Sequence, residues 1–267
     1  MLTTAALILI VTSKVVLGQD DRRAIKGQRF PLGMAENSVD DRYDGCTEKM
    51  KKQVERDYFN KEIDDNKSGF GKAWNLSKIK FPKPQDNLAR NHLIAIYVYT
   101  GAVPGLYKEF NQDVRTGREK YKNKKFSWYT LYYWLTQAIQ TLKQTQNVCI
   151  STYRGTWDIF DGDQNDEIRF GSFASSSLDQ FVAMGFGTES CFEIKTCHGA
   201  DVSEYSWKRD QKEVLIPPYE TFKVTDIKNN DWCKTVFVLK SYRIISNLNC
   251  SVASGKPMKY HNVIISD

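Results

Sequence analysis

The chain has few of the residues that build metal sites and none of the segments that usually separate domains. Its 267 residues include three histidines and six cysteines. No two cysteines form a C-x-x-C pair and the histidines lack ligand spacing, so no metal site is expected. The seven prolines are scattered, and no linker rich in proline, glycine or serine and no internal repeat interrupts the sequence. A single domain is therefore predicted after the N-terminal segment.

Two partial motifs lack a residue that their chemistry requires. Residues 161–165 have the D-x-D-x-N spacing that begins a calcium-binding loop, but Asp166 stands at the position of the required glycine. The Gly185-Phe-Gly187 segment lacks the third glycine of a dinucleotide-binding turn. Both segments are predicted to be ordinary loops.

The first residues have the composition of a secretory signal peptide. Ala5–Val11 is a short apolar run, and Val16 and Gly18 are small residues at positions typical of cleavage. Residues 1–18 are predicted to be a signal peptide, and residues 19–267 a single secreted domain. No uncharged stretch of about 20 residues occurs, so no transmembrane segment is expected. The last residues carry no hydrophobic tail of the kind that signals a glycosylphosphatidylinositol anchor.

The composition is that of an ordinary packed protein with a modest excess of positive charge. Hydrophobic residues make up 41% and charged residues 26%, with a net charge of +6. This charge suits an anionic small-molecule substrate and gives no reason to expect nucleic acid as a partner. A basic run lies between Arg115 and Lys125. We interpret it as a solvated loop, with a patch for an acidic partner as the alternative.

The spacing of apolar residues changes near Cys149. Before it, Met50–Tyr58, Leu88–Thr100 and Phe126–Lys143 carry apolar residues at the three-to-four spacing typical of helices. After it, short segments rich in β-branched and aromatic residues alternate with turn residues, a pattern typical of strands. Helices followed by strands predict an α+β domain.

Three segments of the second half contain candidate catalytic residues. Arg154 lies in a Tyr-Arg-Gly-Thr segment, Ser175 begins a serine triplet, and Glu213 precedes Val-Leu-Ile-Pro-Pro-Tyr-Glu. In this order, the three residues closely resemble the R-S-E signature of the ecto-mono-ADP-ribosyltransferase family. The resemblance extends from the DDRYDGC segment near Cys46 to the NLNC segment at Cys250.

The resemblance implies a helical N-terminal region followed by a β-sandwich core that encloses an NAD cleft. NAD is then a substrate, and no prosthetic group is expected. Tyr99 matches a family NAD contact, although packing in the core is an equal alternative for it. Ser206 is a weaker candidate contact, with a plain surface hydroxyl as the alternative. The NAD contacts that the resemblance implies are Tyr99, Arg154, Gly155, Ser175 and Ser206.

The chemistry of NAD cleavage explains why these residue types suit the task. Nicotinamide leaves as a neutral molecule, so no general acid is needed, and positive charge develops on the ribose. A fixed carboxylate at Glu213 would stabilise that charge where it appears. Arg154 would hold the phosphate or ribose side with its planar, charged fork. Ser175 would keep the glutamate and its strand in register.

Gln211 departs from the family pattern at the position that concerns the acceptor. In arginine-specific members, a glutamate at this position of the E-x-E motif engages the acceptor guanidinium. An amide can orient that group but is a poor base, so weakened transfer to arginine is predicted. Asp210 would not replace it in an extended segment, because its side chain would point to the opposite face.

Three functions therefore remain open at this point. The first is an NAD(P)+–protein-arginine ADP-ribosyltransferase that modifies a protein acceptor at an exposed arginine or another side chain. The second is an NAD glycohydrolase with weak transferase activity, which Gln211 favours. The third is a recognition protein that has lost the chemistry, which intact Arg154, Ser175 and Glu213 argue against. A monomer is expected in each case.

An even number of cysteines in an exported protein suggests disulfides. The family resemblance implies the pairs Cys46–Cys250 and Cys149–Cys197. Cys191–Cys233 is a possible third pair, for which the family gives no precedent. Sequons at Asn66, Asn75 and Asn249 are compatible with a glycoprotein.

Overall fold

The first half of the chain is built from helices, as the apolar spacing predicted. A computed structural model describes residues 28–65 and 69–254, so the predicted signal peptide and the Asn66 sequon lie outside the described residues. Five-residue π-helical turns directly continue the first and fourth helices. The helices of this half are α1 (Thr47–Gln53), α2 (Phe59–Asp64), α3 (Phe70–Lys80), α4 (Arg90–Tyr97), α5 (Leu106–Thr116), α6 (Arg118–Lys122) and α7 (Tyr129–Thr145).

Helix α7 lies at the centre of the helical core, which agrees with its aromatic sequence. Tyr129, Tyr132 and Tyr133 are buried in it. Its first backbone N–H groups have no partner within the helix, and the Glu62 carboxylate accepts hydrogen bonds from those of Tyr129 and Thr130, at 2.9 Å each. Burial raises the pKa of Glu62 to about 7, and these hydrogen bonds oppose the shift.

The second half supplies the strands. They are β1 (Arg29–Pro31), β2 (Ile150–Thr156), β3 (Ile159–Asp161), β4 (Glu167–Ile168), β5 (Ala174–Ser177), β6 (Ser190–Thr196), β7 (Ala200–Asp201), β8 (Glu213–Ile216), β9 (Glu220–Asn229) and β10 (Thr235–Ile244). Two short helices, α8 (Gln180–Met184) and α9 (Ser251–Ser254), complete the described part of the chain. Strands β1 and β3 form a parallel pair, and the other strands form one sheet in the order β4-β9-β10-β6-β2-β5-β8-β7.

The sheet is divided between β2 and β5. Strand β2 pairs with β6 at seven positions, but it pairs with β5 only at Tyr153 and Ser177. On β8, Leu215 joins the core of the helical half, while its neighbour Ile216 joins the core formed by β6, β9 and β10. Because alternate side chains of a strand point to opposite faces, the β5–β8 half is packed between the helices and the other strands. This arrangement agrees with the sandwich core that the resemblance implied.

Three disulfides and one buried ion pair connect distant segments. The disulfides are Cys46–Cys250, Cys149–Cys197 and Cys191–Cys233, with Cα atoms 5.9, 4.1 and 6.0 Å apart. They are the two pairs that the resemblance implied and the possible third pair. Buried Arg169 and Asp40 form an ion pair at 2.6 Å, which attaches the segment before α1 to the sheet.

The basic run is not the loop that the sequence suggested. Arg115 lies in the last turn of α5, and Arg118–Lys122 forms α6, with Tyr121 buried against the core. The run is helical because Tyr121 gives this short segment an apolar side to bury. Across residues 28–65 and 69–254, none of the helices combines the length and the apolar character that crossing a membrane requires.

Candidate active site

The three predicted catalytic residues lie on strands on the two sides of the gap in the sheet. Arg154 lies on β2, Ser175 on β5 and Glu213 at the start of β8. An Nη1 group of Arg154 donates a hydrogen bond to the backbone carbonyl of Ser175. Since β2 and β5 share only one register pair, this side chain spans a space that backbone pairing leaves open.

Glu213 is a buried carboxyl group in a polar setting. Its residue is 5% exposed, and the Ser206 hydroxyl donates to its Oε2 atom at 3.4 Å. Burial raises the pKa of Glu213 to about 7, while hydrogen bonds from Ser175 and Ser206 and the charge of Arg154 lower it. A buried carboxyl group whose pKa is raised toward neutral beside an arginine is a candidate for chemistry.

Arg154 is not part of a surface ion pair, which is the ordinary role of an arginine at the end of a strand. Within the described residues, no carboxylate is in ion-pair contact with it, and its hydrogen bond is to the Ser175 carbonyl. Burial lowers its pKa, and the nearby charges of Glu213 and Asp158 act in the opposite direction. The side chain is a part-buried cation with further N–H donors available to an anion.

Gly155 permits a close approach between β2 and the turn after α8. A Cβ atom at this residue would lie 2.3 Å from the carbonyl oxygen of Gly187 and 2.4 Å from that of Ala183. No other residue type fits without moving one of these two backbone segments. The role of the Gly155 backbone toward nicotinamide remains a prediction.

Tyr99 lies in the core, next to the segment that leads into β5. Its hydroxyl donates to the Phe173 carbonyl at 3.0 Å and accepts from the Asn111 side-chain amide at 3.0 Å. The residue is buried, so its position agrees with the alternative in which Tyr99 packs in the core.

The surface alternative for Ser206 is wrong, because the residue is buried and its hydroxyl contacts Glu213. The sequence contained no sign of this contact. It arises because the 3-10 turn Ser203–Tyr205 folds back on β8, where the Val202 N–H donates to the Glu213 carbonyl at 2.9 Å.

The segment before Glu213 is not extended, which corrects the argument about Asp210. Arg209–Gln211 forms a 3-10 turn, and Lys212 follows with a φ of 46°. The turn is held because the Ser177 hydroxyl donates to the Gln211 carbonyl at 2.7 Å and the Leu178 N–H to that of Lys212 at 3.0 Å. The alternation of faces in a strand therefore does not apply between residues 210 and 213.

Two charged residues near the site were not singled out as site residues from the sequence. Burial lowers the pKa of both Arg154 and Arg115, and the charge of Asp158, four residues after Arg154, acts in the opposite direction on each. Arg115 donates to the Ser172 hydroxyl at 2.8 Å. The closeness of Asp158 to Arg154 in the sequence could have identified it as a site residue. Arg115 is distant in the sequence, and only the fold brings it close to the site.

The split sheet, with Arg154, Ser175 and buried Glu213 on its strands, defines this protein as one of the ADP-ribosyltransferase class. The model of the NAD:arginine ADP-ribosyltransferase family matches residues 32–245, and the chain belongs to that family. Enzymes of this family use NAD as a substrate. The family assignment that the sequence motifs suggested is confirmed.

Relatives support the same assignment over most of the chain. Ecto-ADP-ribosyltransferase 5 of Bos taurus is 34% identical over 270 residues, covering 95% of this chain and 85% of that protein. The GPI-linked NAD(P)(+)–arginine ADP-ribosyltransferase 1 of Oryctolagus cuniculus is 33% identical over 250 residues, covering 86% of this chain and 76% of that protein.

A solved relative has the same fold. The eucaryotic mono-ADP-ribosyltransferase ART2.2 superimposes with a TM-score of 0.71 at 31% identity, covering 83% of this chain and 98% of that one. Glutamate variants of ART2.2 have been crystallised in complex with NADH and with NAD.

Proposed function

We propose that this protein cleaves NAD at the nicotinamide–ribose bond and transfers ADP-ribose to a protein side chain. The observation that carries the proposal is the buried carboxyl group of Glu213, which accepts a hydrogen bond from Ser206 and lies within the electrostatic influence of the Arg154 cation. The family membership and the NAD complexes of ART2.2 support NAD as the substrate.

The surroundings of the cleft suggest how NAD is held. Arg154 would direct its remaining N–H donors at the pyrophosphate or the ribose, because a guanidinium fork binds phosphate oxygens in pairs. The Gly155 backbone would bind the nicotinamide amide. Ser175 and Ser206 would orient Glu213, and Tyr99 would hold the residue before β5 through its hydrogen bond to the Phe173 carbonyl.

The bond cleavage needs a stabilised cation rather than an acid. The electron pair of the broken C–N bond goes to the nicotinamide nitrogen, which leaves neutral. The ribose carbon becomes cationic, and ionised Glu213 would stabilise it through a fixed charge in a site shielded from water. The acceptor then attacks this carbon and loses its proton to a carboxylate or to solvent.

Gln211 favours a second candidate function, NAD hydrolysis with weak transfer. An arginine acceptor has a pKa above about 12, so its attack depends on a neighbouring base. Gln211 offers an amide instead, and its backbone is fixed in the 3-10 turn by Ser177. Water needs less help than a guanidinium at an oxocarbenium-like carbon, so it would compete well as the acceptor.

Labelled NAD distinguishes these functions. We expect release of nicotinamide by the purified protein, with ADP-ribose recovered as free sugar and as adduct when an arginine analogue is present. Glu213→Gln should lower the release rate by a factor of about 100 or more, whereas Glu204→Gln, on an exposed side chain, should leave it unchanged. No release from the wild-type protein would leave only a recognition function, and unchanged release by Glu213→Gln would refute the catalytic role of this residue.

We also propose that the protein is secreted, as its three disulfides and its ecto-enzyme relatives support, and that it acts as a monomer. Asn75 is exposed on α3 and is the better glycan acceptor. Asn249 is buried, with both its side-chain oxygen and its nitrogen bonded to the Asp44 backbone at 2.9 and 3.0 Å. The glycosidase-sensitive mass on the secreted protein should therefore decrease in Asn75→Gln and stay the same in Asn249→Gln.

A further inference from the structure

A small buried core lies next to Gly155 in the sheet, apart from the two larger cores of the protein. It consists of Cys191, Cys233 and Val236, with the partly buried Trp232 packed against them. Cys191 and Cys233 form the third disulfide. A core of this size gains little from apolar burial, so the covalent bond is the main constraint on these residues.

Cys191 lies directly opposite Gly155 in the pairing of β6 with β2. Directly opposed residues of an antiparallel pair have their side chains on the same face of the sheet. The carbonyl oxygen of Gly187 lies on this face, 2.3 Å from the position of a Cβ atom on Gly155 and 3.5 Å from the Cys191 Sγ atom. The disulfide sulfur carries no hydrogen, so the second distance is a van der Waals contact. The Gly187 carbonyl therefore fills the place of the missing side chain and contacts the disulfide.

The other half of the disulfide restrains the segment that follows Gly187. Cys233 lies between β9 and β10, and the N–H of the next residue, Lys234, donates to the Thr188 carbonyl at 3.0 Å. This hydrogen bond and the disulfide close a ring that contains residues 188–191 and 233–234. Because both ends of the segment are fixed, it has little freedom to move away from β2.

Strand β2 has only one partner strand at Gly155. It pairs with β6 as far as Thr156, whereas it pairs with β5 only at Tyr153. Within the described residues, the sheet at Gly155 therefore continues only on the β6 side. The position of this backbone depends on the start of β6 and on the Gly187 carbonyl, and the ring closed by the disulfide contains the first and adjoins the second.

We infer that the Cys191–Cys233 disulfide is a positioning element of the NAD cleft, which fixes the Gly155 backbone on the nicotinamide side. This inference rests on the proposed function, in which that backbone binds the nicotinamide amide. Displacement of a binding group by about 1 Å can lower the efficiency of an enzyme by up to about 100-fold. A bond that does not touch the substrate can therefore still set how tightly nicotinamide is held.

Arg154 is held by other contacts, although it directly precedes Gly155. Its side chain donates to the Ser175 carbonyl, and its partner across the strands, Phe192, belongs to the larger core of the sheet. Loss of the disulfide should therefore weaken the binding of nicotinamide and preserve the binding of ADP-ribose, which Arg154 would provide. A role limited to overall stability would affect both alike.

Two ligands separate these effects. ADP-ribose tests the part of the cleft around Arg154, and a carbocyclic NAD analogue, which keeps nicotinamide but resists cleavage, tests the whole cleft. Binding of each is measured by isothermal titration calorimetry to Cys191→Ala/Cys233→Ala, at a temperature where its melting curve shows the folded state. If the alanine pair does not fold, Cys191→Val/Cys233→Ala fills more of the buried space and replaces it in the experiment.

The chain provides a matched control at the other end of the same two strands. Cys149 directly precedes β2 and Cys197 directly follows β6, and these two residues form a disulfide as well. The cysteines of this disulfide are 48 positions apart in the chain, against 42 for Cys191–Cys233. Loss of either bond should therefore destabilise the fold to a similar extent. Cys149→Ala/Cys197→Ala controls for that loss of stability.

We expect the wild-type protein to bind the analogue more tightly than ADP-ribose. Loss of Cys191–Cys233 should weaken binding of the analogue about tenfold and leave that of ADP-ribose unchanged, whereas the control variant should bind both like the wild type. Binding is read here without turnover. A wild-type protein that binds the analogue but releases no nicotinamide from NAD would contradict the proposed function and leave the positioning role supported.

Four results would overturn the inference. The first is equal affinity of the wild type for both ligands, which would remove the nicotinamide contact. The second is an unchanged affinity for the analogue after loss of Cys191–Cys233. The third is the same weakening in the control variant, which would assign the effect to stability. The fourth is an equal weakening of ADP-ribose binding after loss of Cys191–Cys233, which would mean that the bond supports the whole cleft and not its nicotinamide side.

Discussion

Arg154 donates a hydrogen bond to the backbone carbonyl of Ser175 across the gap in the sheet, between residues 21 positions apart in the chain. The contact ties a charged side chain to the strand whose other edge pairs with β8, where Glu213 begins. The position of the cation and that of the carboxyl group are therefore coupled through β5. This coupling explains why the two residues belong to one site although backbone pairing barely connects their strands.

Replacement of Arg154 by lysine tests this geometry. An ammonium keeps the charge but cannot direct several N–H donors at Ser175 and at a phosphate at once. We expect kcat/KM for NAD to fall by about 100-fold in Arg154→Lys, measured as nicotinamide release. Arg56→Lys, on an exposed side chain, is the control. Wild-type kinetics in Arg154→Lys would mean that charge alone suffices.

The pH dependence of NAD cleavage should follow the ionisation of Glu213. The ionised form is needed to stabilise the ribose cation, and burial raises the pKa of this carboxyl to about 7. We therefore expect kcat/KM for NAD, which reflects the free enzyme, to rise with pH around a midpoint near 7 instead of near 4.5.

Loss of the Ser206 hydroxyl should move that midpoint upward. Its hydrogen bond to Glu213 favours the ionised carboxylate, so its removal raises the pKa further. We expect the profile of Ser206→Ala to be displaced to higher pH, while Ser151→Ala, on the exposed side of β2, keeps the wild-type profile. A lower rate with an unmoved midpoint would indicate a merely structural role for Ser206.

Glu213 should also make the protein less stable at alkaline pH. Its pKa is about 7 in the folded protein against an ordinary 4.5, so the folded state binds the proton more tightly. Between these two values, the free energy of unfolding decreases as pH rises. Glu213→Gln should therefore be more stable than the wild type at pH 8, by on the order of 2 kcal/mol, and similar to it near pH 4. Urea unfolding of both proteins at both pH values measures these free energies. The same stability difference between variant and wild type at pH 4 and at pH 8 would contradict the prediction.

Gln211→Glu should shift the products toward the arginine adduct. A carboxylate at residue 211 supplies the base that the amide lacks, while the Ser177 bond to the backbone carbonyl keeps the turn in place. We expect the ratio of adduct to free ADP-ribose to increase with an arginine analogue, at a similar total rate of nicotinamide release. Gln164→Glu, on an exposed loop, is the control, and an unaltered ratio would show that residue 211 does not set the acceptor.

Gly155→Ala should disturb the packing of the α8 turn on β2. The added methyl group would lie within 2.4 Å of two carbonyl oxygens, and such overpacking typically costs about 1–3 kcal/mol. We expect a lower melting temperature and a lower affinity for NAD. Gly33→Ala is the control, because nothing lies within 4 Å of its Cβ position; equal stability of the two variants would refute the steric argument.

The apolar periodicity was enough to predict the helical half and the change to strands. The aromatic residues of α7 pack inward because a helix with large apolar groups at three-to-four spacing must bury them. The order of Arg154, Ser175 and Glu213 predicted the family, since each motif is local and keeps its identity whatever surrounds it. The sequence alone was therefore enough to predict the NAD chemistry, because that prediction depends on residue types and their order.

Contacts between distant segments were decided only by the tertiary structure. Periodicity shows which face of a strand is apolar but not which strands are neighbours, so the gap between β2 and β5 was not predictable. For the same reason, Ser206 seemed a surface hydroxyl until the turn before β8 placed it against Glu213, and Gln211 seemed extended until Ser177 fixed it in a turn. The sequence by itself determined which groups this protein possesses, and folding decided which of them are buried together, because burial depends on long-range packing.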